Sequence, residues 1–208
     1  MDDRVAERVV DEIAGHPSLI RGTSQIVFPG MVLGEQAVVN IKNKSHFVTA
    51  EVEIGKQEAT GVIIAQGANF GGWALYAHEG RLKYVYNFLG MQTYEVEASE
   101  PLPTGKHQVR AAFKYDGESL GKGGVATLYV DGAQVAEGRV ERTHPFIFSA
   151  DSTLMVGDKT VAPISKDFGV KDNKFTGKVN WANIELGEDT HDHLIDPEEW
   201  VRIHMSIQ

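Results

Sequence analysis

The chain has 208 residues, of which 42% are hydrophobic and 24% charged, values that suit one globular domain with a sizeable core. Its formal net charge of −9 repels a phosphate backbone, so composition excludes nucleic acid as an expected partner. The chain contains no cysteine, which excludes disulfides, thiolate catalysis and cysteine-based zinc sites.

Residues 1–17 predict a short helix and a linker to a longer parent protein. Val5, Val9 and Ile13 recur every four residues in the segment 2–14 and form one apolar stripe. The segment lacks the charged-then-apolar plan of a signal peptide, and the sequence holds no run of about 18 apolar residues that would predict a membrane span. We therefore expect a piece cut from a longer protein, and we favour a cytoplasmic location.

Residues 18–187 change to a hydrophobic period of two, which predicts a β domain. The predicted strands are 36–41, 46–54, 60–67, 73–78, 82–88, 92–98, 107–116, 125–132, 133–141, 153–159 and 175–186. The pairs Asp131-Gly132 and Glu79-Gly80 predict tight hairpins, because such turns need positive φ at both central residues. Many short strands without intervening helices indicate a mainly β fold, either a sandwich or a barrel.

The longest irregular stretch of this domain is 157–174. A long loop in a compact domain is often a functional or binding loop. We favour the alternative, a solvated crossover between two sheets.

Residues 188–208 predict a C-terminal helical tail. Asp196 is a plausible N-cap for a helix over 196–208. Trp200, Ile203 and Ile207 fall on one face of that helix. The predicted β domain is thus bracketed by two short amphipathic helices.

The stretch 71–90, GGWALYAHEGRLKYVYNFLG, is rich in aromatic residues. One face of its second strand alternates as expected for a core: Leu82, Tyr84, Tyr86 and Phe88. The other face is predicted to point outward: Arg81, Lys83, Val85 and Asn87. The first strand is less clearly two-sided, so Trp73 and Tyr76 are the candidate ligand-binding aromatics, while core packing is the competing interpretation.

No catalytic group stands out in the sequence. Glu51 and Glu53 alternate on one strand as the carboxylates of a glucanase-like site would, but the further acids of such a site are missing, and surface acids on an edge strand are the favoured interpretation. No nucleophile motif surrounds any of the candidate serines, Ser24, Ser45, Ser149 and Ser152.

Two groups of residues could offer ligands to a metal, and neither predicts a site. The first is an HxH pair near the C-terminus with adjacent acids: His191, His193, Asp189 and Asp192. The second lies in the long loop and could offer oxygens to Ca²⁺: Asp167, Asp172 and Asn173. The loop lacks the spaced acids and closing Glu of a calcium loop, so we predict no metal and no cofactor in this chain.

Several stretches, in order, resemble the C-terminal region of a large class of bacterial arylsulfatases: 38–54, 61–90, 114–151 and 175–186. The words NIKNKSH and YNFLG carry much of this likeness, which covers most of the chain. The resemblance implies a concanavalin A-like, laminin-G-type jelly-roll sandwich of two antiparallel sheets, in agreement with the strand pattern.

The resemblance does not imply catalysis by this chain. Sulfatases use a Cys or Ser in a C/S-x-P/A-S-R signature. That residue is oxidised to formylglycine beside a divalent cation, Ca or Mg. This chain does not contain the signature. The resemblance therefore implies a non-catalytic accessory domain that packs on the sulfatase catalytic domain of the same parent chain. The alternatives are a carbohydrate-binding module that takes the parent to a sulfated or plain glycan, and a glucanase-like enzyme. A homo-oligomer is a further arrangement that the sequence allows.

Overall fold

A computed structural model describes residues 19–20, 22–117, 120–145, 148, 153–158 and 163–187. Within these ranges the chain forms twelve strands and one short 3₁₀ helix, Glu35–Ala37. The helices predicted over 2–14 and 196–208 lie outside the described residues. No helix in the described ranges is long and apolar enough to cross a membrane.

The strands form two six-stranded sheets with antiparallel pairing between all neighbouring strands. Sheet A has the spatial order β1 (Ser24–Val27), β12 (Lys178–Leu186), β3 (His46–Ile54), β8 (Gly105–Tyr115), β9 (Lys122–Val130) and β10 (Ala133–Arg142). Sheet B has the order β2 (Val32–Gly34), β11 (Thr153–Val156), β4 (Gly61–Ala68), β5 (Gly71–His78), β6 (Arg81–Phe88) and β7 (Gln92–Pro101). The predicted mainly β, antiparallel two-sheet sandwich is confirmed.

Ten of the eleven predicted strands form, and the exception is 36–41. The Gln25 side chain donates to the carbonyl of Ala37 at 2.8 Å and accepts from the N–H of Val39 at 2.9 Å. These backbone groups are thus satisfied by a side chain rather than by a neighbouring strand. The segment buries its apolar side chains in the main core: Val38, Val39 and Ile41.

The two predicted hairpin turns are confirmed by their backbone angles. Asp131 and Gly132 have φ of 49° and 82°, and Glu79 and Gly80 have φ of 46° and 77°. Positive φ at both central residues matches the right-handed twist of the flanking strands. These turns fix the register of β9 with β10 and of β5 with β6.

The main core lies between the two sheets, where alternate side chains of each sheet meet. Leu82 and Tyr84 are 0% and 1% exposed there, as predicted, and Phe88 packs against the edge of this core. Sheet A contributes the opposite layer, which includes Val48, Ala50, Val52, Val109, Leu128 and Ile184. Because this layer takes every second residue of each strand, the residues between them point to the outer face of sheet A.

Candidate functional site

The outer face of sheet B is covered, so the outward orientation predicted for part of β6 does not lead to solvent. Lys83, Val85 and Asn87 are 5%, 0% and 4% exposed. Residues 163–169, here called the covering loop, supply Ile164 and Phe168 to a second apolar cluster on this face. The sheet side of the cluster consists of Val62, Ala65, Ala74, Tyr76 and Val85. The stretch 157–174 connects sheet B to sheet A, from β11 to β12, as the predicted crossover does. It is not solvated over the covering loop, because this loop buries apolar side chains of its own.

Asp167 fixes the covering loop to the sheet. Its Oδ2 lies 2.6 Å from Nζ of Lys83 and accepts a hydrogen bond of 2.7 Å from the Tyr76 hydroxyl. Burial by itself raises the pKa of Asp167, but the bonds from Lys83 and Tyr76 outweigh burial and hold this pKa below its usual value. Burial likewise lowers the pKa of Lys83, and the acids Asp167, Glu95 and Glu97 outweigh it and raise that pKa. These polar groups are thus paired with one another.

Trp73 and Tyr76 are both 0% exposed and lie on opposite faces of β5. Trp73 belongs to the core between the sheets, where its Nε1 donates to Oε1 of Gln66 at 3.1 Å. Tyr76 lies beneath the covering loop, with its ring 5.2 Å from the Phe168 ring in an edge-on arrangement. A ligand-binding role for these two residues stays a prediction, and the burial of both rings weighs against it.

The outer face of sheet A presents a different surface, which we call the polar patch. It consists of side chains on three adjacent strands: Thr49, Glu51, Arg110, Trp181 and Asn183. The register places Thr49 between Arg110 and Asn183, and Glu51 opposite Trp181. An irregularity in β12 between Val179 and Trp181 shifts the alternation. As a result Trp181 leaves the main core and packs on Ile26 and Phe28 instead.

The charged members of the polar patch are each paired. Nη2 of Arg110 donates to Oε2 of Glu185 at 3.1 Å, and the guanidinium lies 4.8 Å from the Phe47 ring centroid. Glu51 accepts from Nζ of Lys106 at 2.9 Å and from Nδ2 of Asn180 at 3.0 Å. The patch therefore combines ionic pairs and an aromatic face with little net local charge.

The three uncharged side chains of the patch each have a buried polar atom without a hydrogen-bond partner among the described residues: Oγ1 of Thr49, Nε1 of Trp181 and Nδ2 of Asn183. These side chains are 0%, 1% and 0% exposed. Asn183 is held in place through its other amide atom, because Oδ1 accepts from the Ser24 hydroxyl at 3.0 Å. Most buried polar groups are bonded, and leaving one unbonded costs about 1–3 kcal/mol. Three such atoms side by side on one face are a candidate binding site for a polar ligand, which would reach them only when this face opens, because all three are buried.

The carboxylates suggested by sequence do not form a catalytic pair. β3 is a central strand rather than the predicted edge strand, since it pairs with β12 and β8. Glu51 is 5% exposed and Glu53 is exposed, and Nδ2 of Asn180 donates to both at 3.0 Å. The hydrogen bond from the Asn180 side-chain amide lowers the pKa of Glu53, so this carboxylate is ionised at neutral pH. Both carboxylates therefore act as acceptors in a polar network.

The metal candidates of the long loop do not converge. Asp167 bonds to Lys83 and Tyr76, Asp172 is exposed, and Nδ2 of Asn173 donates to the carbonyl of Gly169 at 2.7 Å. Within the described ranges no three His, Asp or Glu side chains group as metal ligands would. The remaining candidates lie outside the described residues: Asp189, His191, Asp192, His193, Ser149 and Ser152.

One end of sheet B carries two exposed apolar residues that sequence reasoning missed. Phe70 and Met91 are 70% and 73% exposed and lie in the β4–β5 and β6–β7 turns, here called the hairpin tips. Nδ2 of Asn87 donates to the carbonyl of Asn69 at 3.1 Å, and Oδ1 of Asn87 accepts from the N–H of Gly90 at 2.8 Å. One buried amide thus ties the two tips together. A large apolar residue inside a turn, as in NFGG, is the signal that could have identified them.

No protein-family model matches the chain, and no curated protein matches it significantly. Among solved structures, the carbohydrate-binding module CBM40 of Ruminococcus gnavus IT-sialidase bound to α2,3 sialyllactose is 12% identical, with a TM-score of 0.50, over 89% of this chain and 98% of that one. Domains LG4-5 of the mouse laminin α1 chain are 15% identical over 87% of this chain and 47% of that one, with a TM-score of 0.47.

A heptameric SAP-like pentraxin from Limulus polyphemus is 15% identical over 76% of this chain and 73% of that one, with a TM-score of 0.44. Identities this low support the fold alone. The comparisons do not link the chain to arylsulfatases, so that resemblance stays a prediction. The two sheets and the CBM40 likeness together confirm the predicted fold, a mainly β, concanavalin A-like jelly-roll sandwich.

Proposed function

We propose that the chain is a carbohydrate-binding, lectin-like module that holds its glycan on the polar patch. The observation that carries this proposal is the group of unbonded atoms on Thr49, Trp181 and Asn183. Sugar hydroxyls both donate and accept, so they complement an indole N–H, an amide N–H and a hydroxyl placed side by side. The sialyllactose-bound module that shares this fold supports a glycan as the class of ligand.

The charges around the polar patch favour a neutral or weakly charged glycan. Arg110 is paired with Glu185, and Lys106 with Glu51. A densely sulfated chain would have to break these pairs, and it would also approach a protein with a net charge of −9. We therefore expect neutral oligosaccharides to bind more tightly than sulfated ones.

Isothermal titration of the pure chain with neutral, sialylated and sulfated oligosaccharides tests the proposal. Asn183→Ala removes one donor of the patch and should weaken binding about tenfold, the equivalent of ~1.4 kcal/mol. Thr93→Val, on the outer side of β7 in sheet B, is the control and should leave the affinity unchanged. Saturable binding that is indifferent to Asn183→Ala would place the glycan elsewhere, and no saturable binding in the whole panel would reject the module.

The second candidate is the non-catalytic accessory domain of an arylsulfatase-like hydrolase. The exposed hairpin tips favour it, because Phe70 and Met91 offer apolar surface of the kind that protein interfaces bury. Changing both to Ser should weaken association with a separately expressed sulfatase catalytic domain, as measured by analytical ultracentrifugation. Val32→Ser, at an exposed apolar residue on β2, is the matched control. Equal association of the two variants would remove the hairpin tips as the interface.

A further inference from the structure

We infer that one end of the sandwich docks on the surface of an anionic lipid bilayer, with apolar side chains inserted among the lipids and basic side chains at the headgroups. This end, here called the docking end, consists of the hairpin tips of sheet B, with Phe70 and Met91, and of the β8–β9 turn of sheet A, with Leu120. The inference goes beyond the glycan proposal and does not depend on it, because the polar patch lies on a face of sheet A.

The docking end presents large apolar side chains to solvent. Phe70, Met91 and Leu120 are 70%, 73% and 63% exposed. Transfer of such side chains from water to an apolar medium is favourable. Elsewhere in the described residues, large apolar side chains of β2 and of the long stretch between β11 and β12 are less exposed, at 41%, 57% and 47%: Met31, Val32 and Val170.

The two tips of sheet B form one fixed unit. Asn87 bonds to both turns, and a Cβ on Gly90 would lie 2.7 Å from the carbonyl oxygen of Asn69, so the backbones of the two turns touch. Phe70 and Met91 are therefore held side by side. Fixed tips lose little conformational entropy when they insert, whereas a flexible loop would be ordered by binding.

Hydrogen bonds connect the β8–β9 turn to sheet B and place it at the same end as the hairpin tips. Oδ1 of Asn43 accepts from the N–H of Gly121 in this turn at 2.8 Å, and Nδ2 of Asn43 donates to the carbonyl of Pro145 at 2.9 Å. The N–H of the preceding residue, His144, donates to the Tyr86 hydroxyl at 2.7 Å. Tyr86 lies in the last turn-ward residues of β6, just before the β6–β7 tip.

Basic side chains lie beside the β8–β9 turn. Lys44 follows the Asn43 that holds this turn, and Lys122 and Arg142 stand at its two flanking strand ends; all three are exposed. Lys122 and Arg142 are direct partners in the β9–β10 register. Like charges directly opposite each other destabilise a sheet. An anionic headgroup between them would remove this repulsion.

Acidic residues do not cancel this charge at the docking end. The acids on the adjoining strand ends, Asp116 and Glu141, both pair with Arg139. The turns 69–70 and 89–91 contain no acidic residue. The chain as a whole has a net charge of −9, so an anionic surface attracts this end and repels the remainder of the molecule. Charge therefore orients the protein with its apolar tips toward the lipid.

The spacing of the apolar residues favours a bilayer over a protein as the occupant. They stand on three separate turns, whereas the core of a protein interface is a contiguous, closely packed surface. The boundary between headgroups and acyl chains accepts separate apolar side chains and needs no complementary shape. A second copy of the chain would also bring the same basic side chains together. Vesicles that contain no protein separate this occupant from the catalytic domain of the second candidate function.

Cosedimentation of the full chain with vesicles of equal parts phosphatidylcholine and phosphatidylserine tests the inference. These lipids carry no sugar, so the polar patch cannot account for binding. Changing both Phe70 and Met91 to Ser should lower the partition coefficient at least about tenfold. The matched control changes Met31 and Val32, the exposed apolar residues at β2, to Ser and should leave it unchanged. Vesicles of phosphatidylcholine alone should bind the unaltered chain at least about tenfold more weakly.

Charge reversal tests the orientation. Lys44→Glu combined with Lys122→Glu should weaken binding to the mixed vesicles at least about tenfold. Lys56→Glu combined with Lys171→Glu makes the same change in net charge at exposed lysines away from the docking end. This control should change binding less than about twofold, because charges farther than a Debye length from the lipid are screened.

A fluorophore tests insertion directly. Because the chain has no cysteine, an environment-sensitive dye on Met91→Cys reports on one position, and its emission should shift to the blue and be quenched by a quencher on the acyl chains. The same dye on Val32→Cys should respond to neither. Binding without quenching at position 91 would overturn the inference in favour of charge attraction alone.

Two further results would overturn the inference. One is no binding to the mixed vesicles, or an equal loss in the two pairs of Ser variants. The other is a dimer of the unaltered chain in analytical ultracentrifugation that the Phe70 and Met91 pair of substitutions dissociates, which would assign the docking end to a second copy. Neither result affects titration with soluble oligosaccharides, so this inference and the glycan proposal can fail separately.

Discussion

The outer faces of the two sheets bury polar side chains in opposite ways. On sheet B, the covering loop places Asp167 within 2.6 Å of Lys83 and 2.7 Å of the Tyr76 hydroxyl, so these buried groups satisfy one another. On sheet A, Thr49 and Asn183 are equally buried but leave polar atoms without a described partner. One face is thus closed by bonds that stabilise the fold, and the other keeps bonding capacity that the fold does not use.

This difference separates a structural surface from a binding surface within one sandwich. A buried ion pair is expensive to break, because removal of one partner leaves a charge without compensation. An unused polar atom has the opposite property, because its removal costs the fold little and can even stabilise it. Substitutions on the two faces should therefore differ in both size and sign.

The largest effect is expected from breaking the pair on sheet B. Asp167→Ala leaves the buried Lys83 ammonium with only the more distant Glu95 and Glu97, both at 3.4 Å, and removes the acceptor of the Tyr76 hydroxyl. We expect unfolding to become easier by about 3–4 kcal/mol. Urea denaturation of the variant and the unaltered chain measures this change.

Asp172→Ala is the matched control for Asp167→Ala, since it removes an exposed acid from the same long stretch. Its effect should stay within about 0.5 kcal/mol. Equal effects of the two substitutions would show that the covering loop is not held by the Lys83 pair.

The second-largest effect is a loss of stability at acid pH that comes from sheet A. His46, at the start of β3 in sheet A, is 5% exposed, and burial lowers its pKa to about 4. The unfolded chain takes up a proton near pH 6.5, whereas the folded chain resists it until about pH 4. Stability should therefore be complete above pH 6.5 and fall by about 3 kcal/mol as the pH drops to 4. The measurement is urea denaturation at several pH values.

His46→Gln should flatten the pH dependence of the free energy of unfolding between pH 6.5 and 4. The Asp167 pair behaves differently. The pKa of Asp167 is held below its usual value, so its contribution is fully present above about pH 4 and is lost only at lower pH. If the stability of His46→Gln still falls between pH 6.5 and 4, the fall is not caused by His46 and this prediction is wrong.

Alternation along single strands accounts for most of what could be predicted from sequence. Ten strands, two hairpin turns and the core positions of Leu82 and Tyr84 follow from a local period and from turn chemistry. β1 and β2 were missed because runs of four and three residues are too short to show a period. Local pattern is thus enough for the layers of the sandwich.

Residues brought together from distant parts of the chain account for the failures. Lys83 points outward as its alternation predicts, but the cover above it comes from residues 163–169, which no local pattern connects to β6. Thr49 falls on an outer face by alternation, whereas Trp181 reaches that face through the irregularity in β12. Only the register of β3 with β12 makes Thr49 and Asn183 neighbours. Sequence reasoning could therefore give side-chain direction but could not place the polar patch.

A smaller loss of stability is expected when one hydroxyl is removed from the outer face of sheet B. Tyr76→Phe keeps the ring against Phe168 but removes the bond to Asp167. We expect a loss of about 1–2 kcal/mol, because the carboxylate of a buried pair loses one of its donors. Calorimetric melting of Tyr76→Phe and the unaltered chain measures it. Unchanged stability would mean that the hydroxyl is not part of the closure of sheet B.

The smallest effect should come from removing one hydroxyl from sheet A, and its sign should be reversed. Thr49→Val has nearly the same shape but lacks Oγ1, which has no partner among the described residues. Removing an unbonded buried hydroxyl should leave stability unchanged or raise it by up to about 1 kcal/mol. Calorimetric melting beside Tyr76→Phe compares one hydroxyl from each outer face. If Thr49→Val lowers the free energy of unfolding by more than about 1 kcal/mol, the fold already uses this hydroxyl. The polar patch would then no longer be a candidate binding surface.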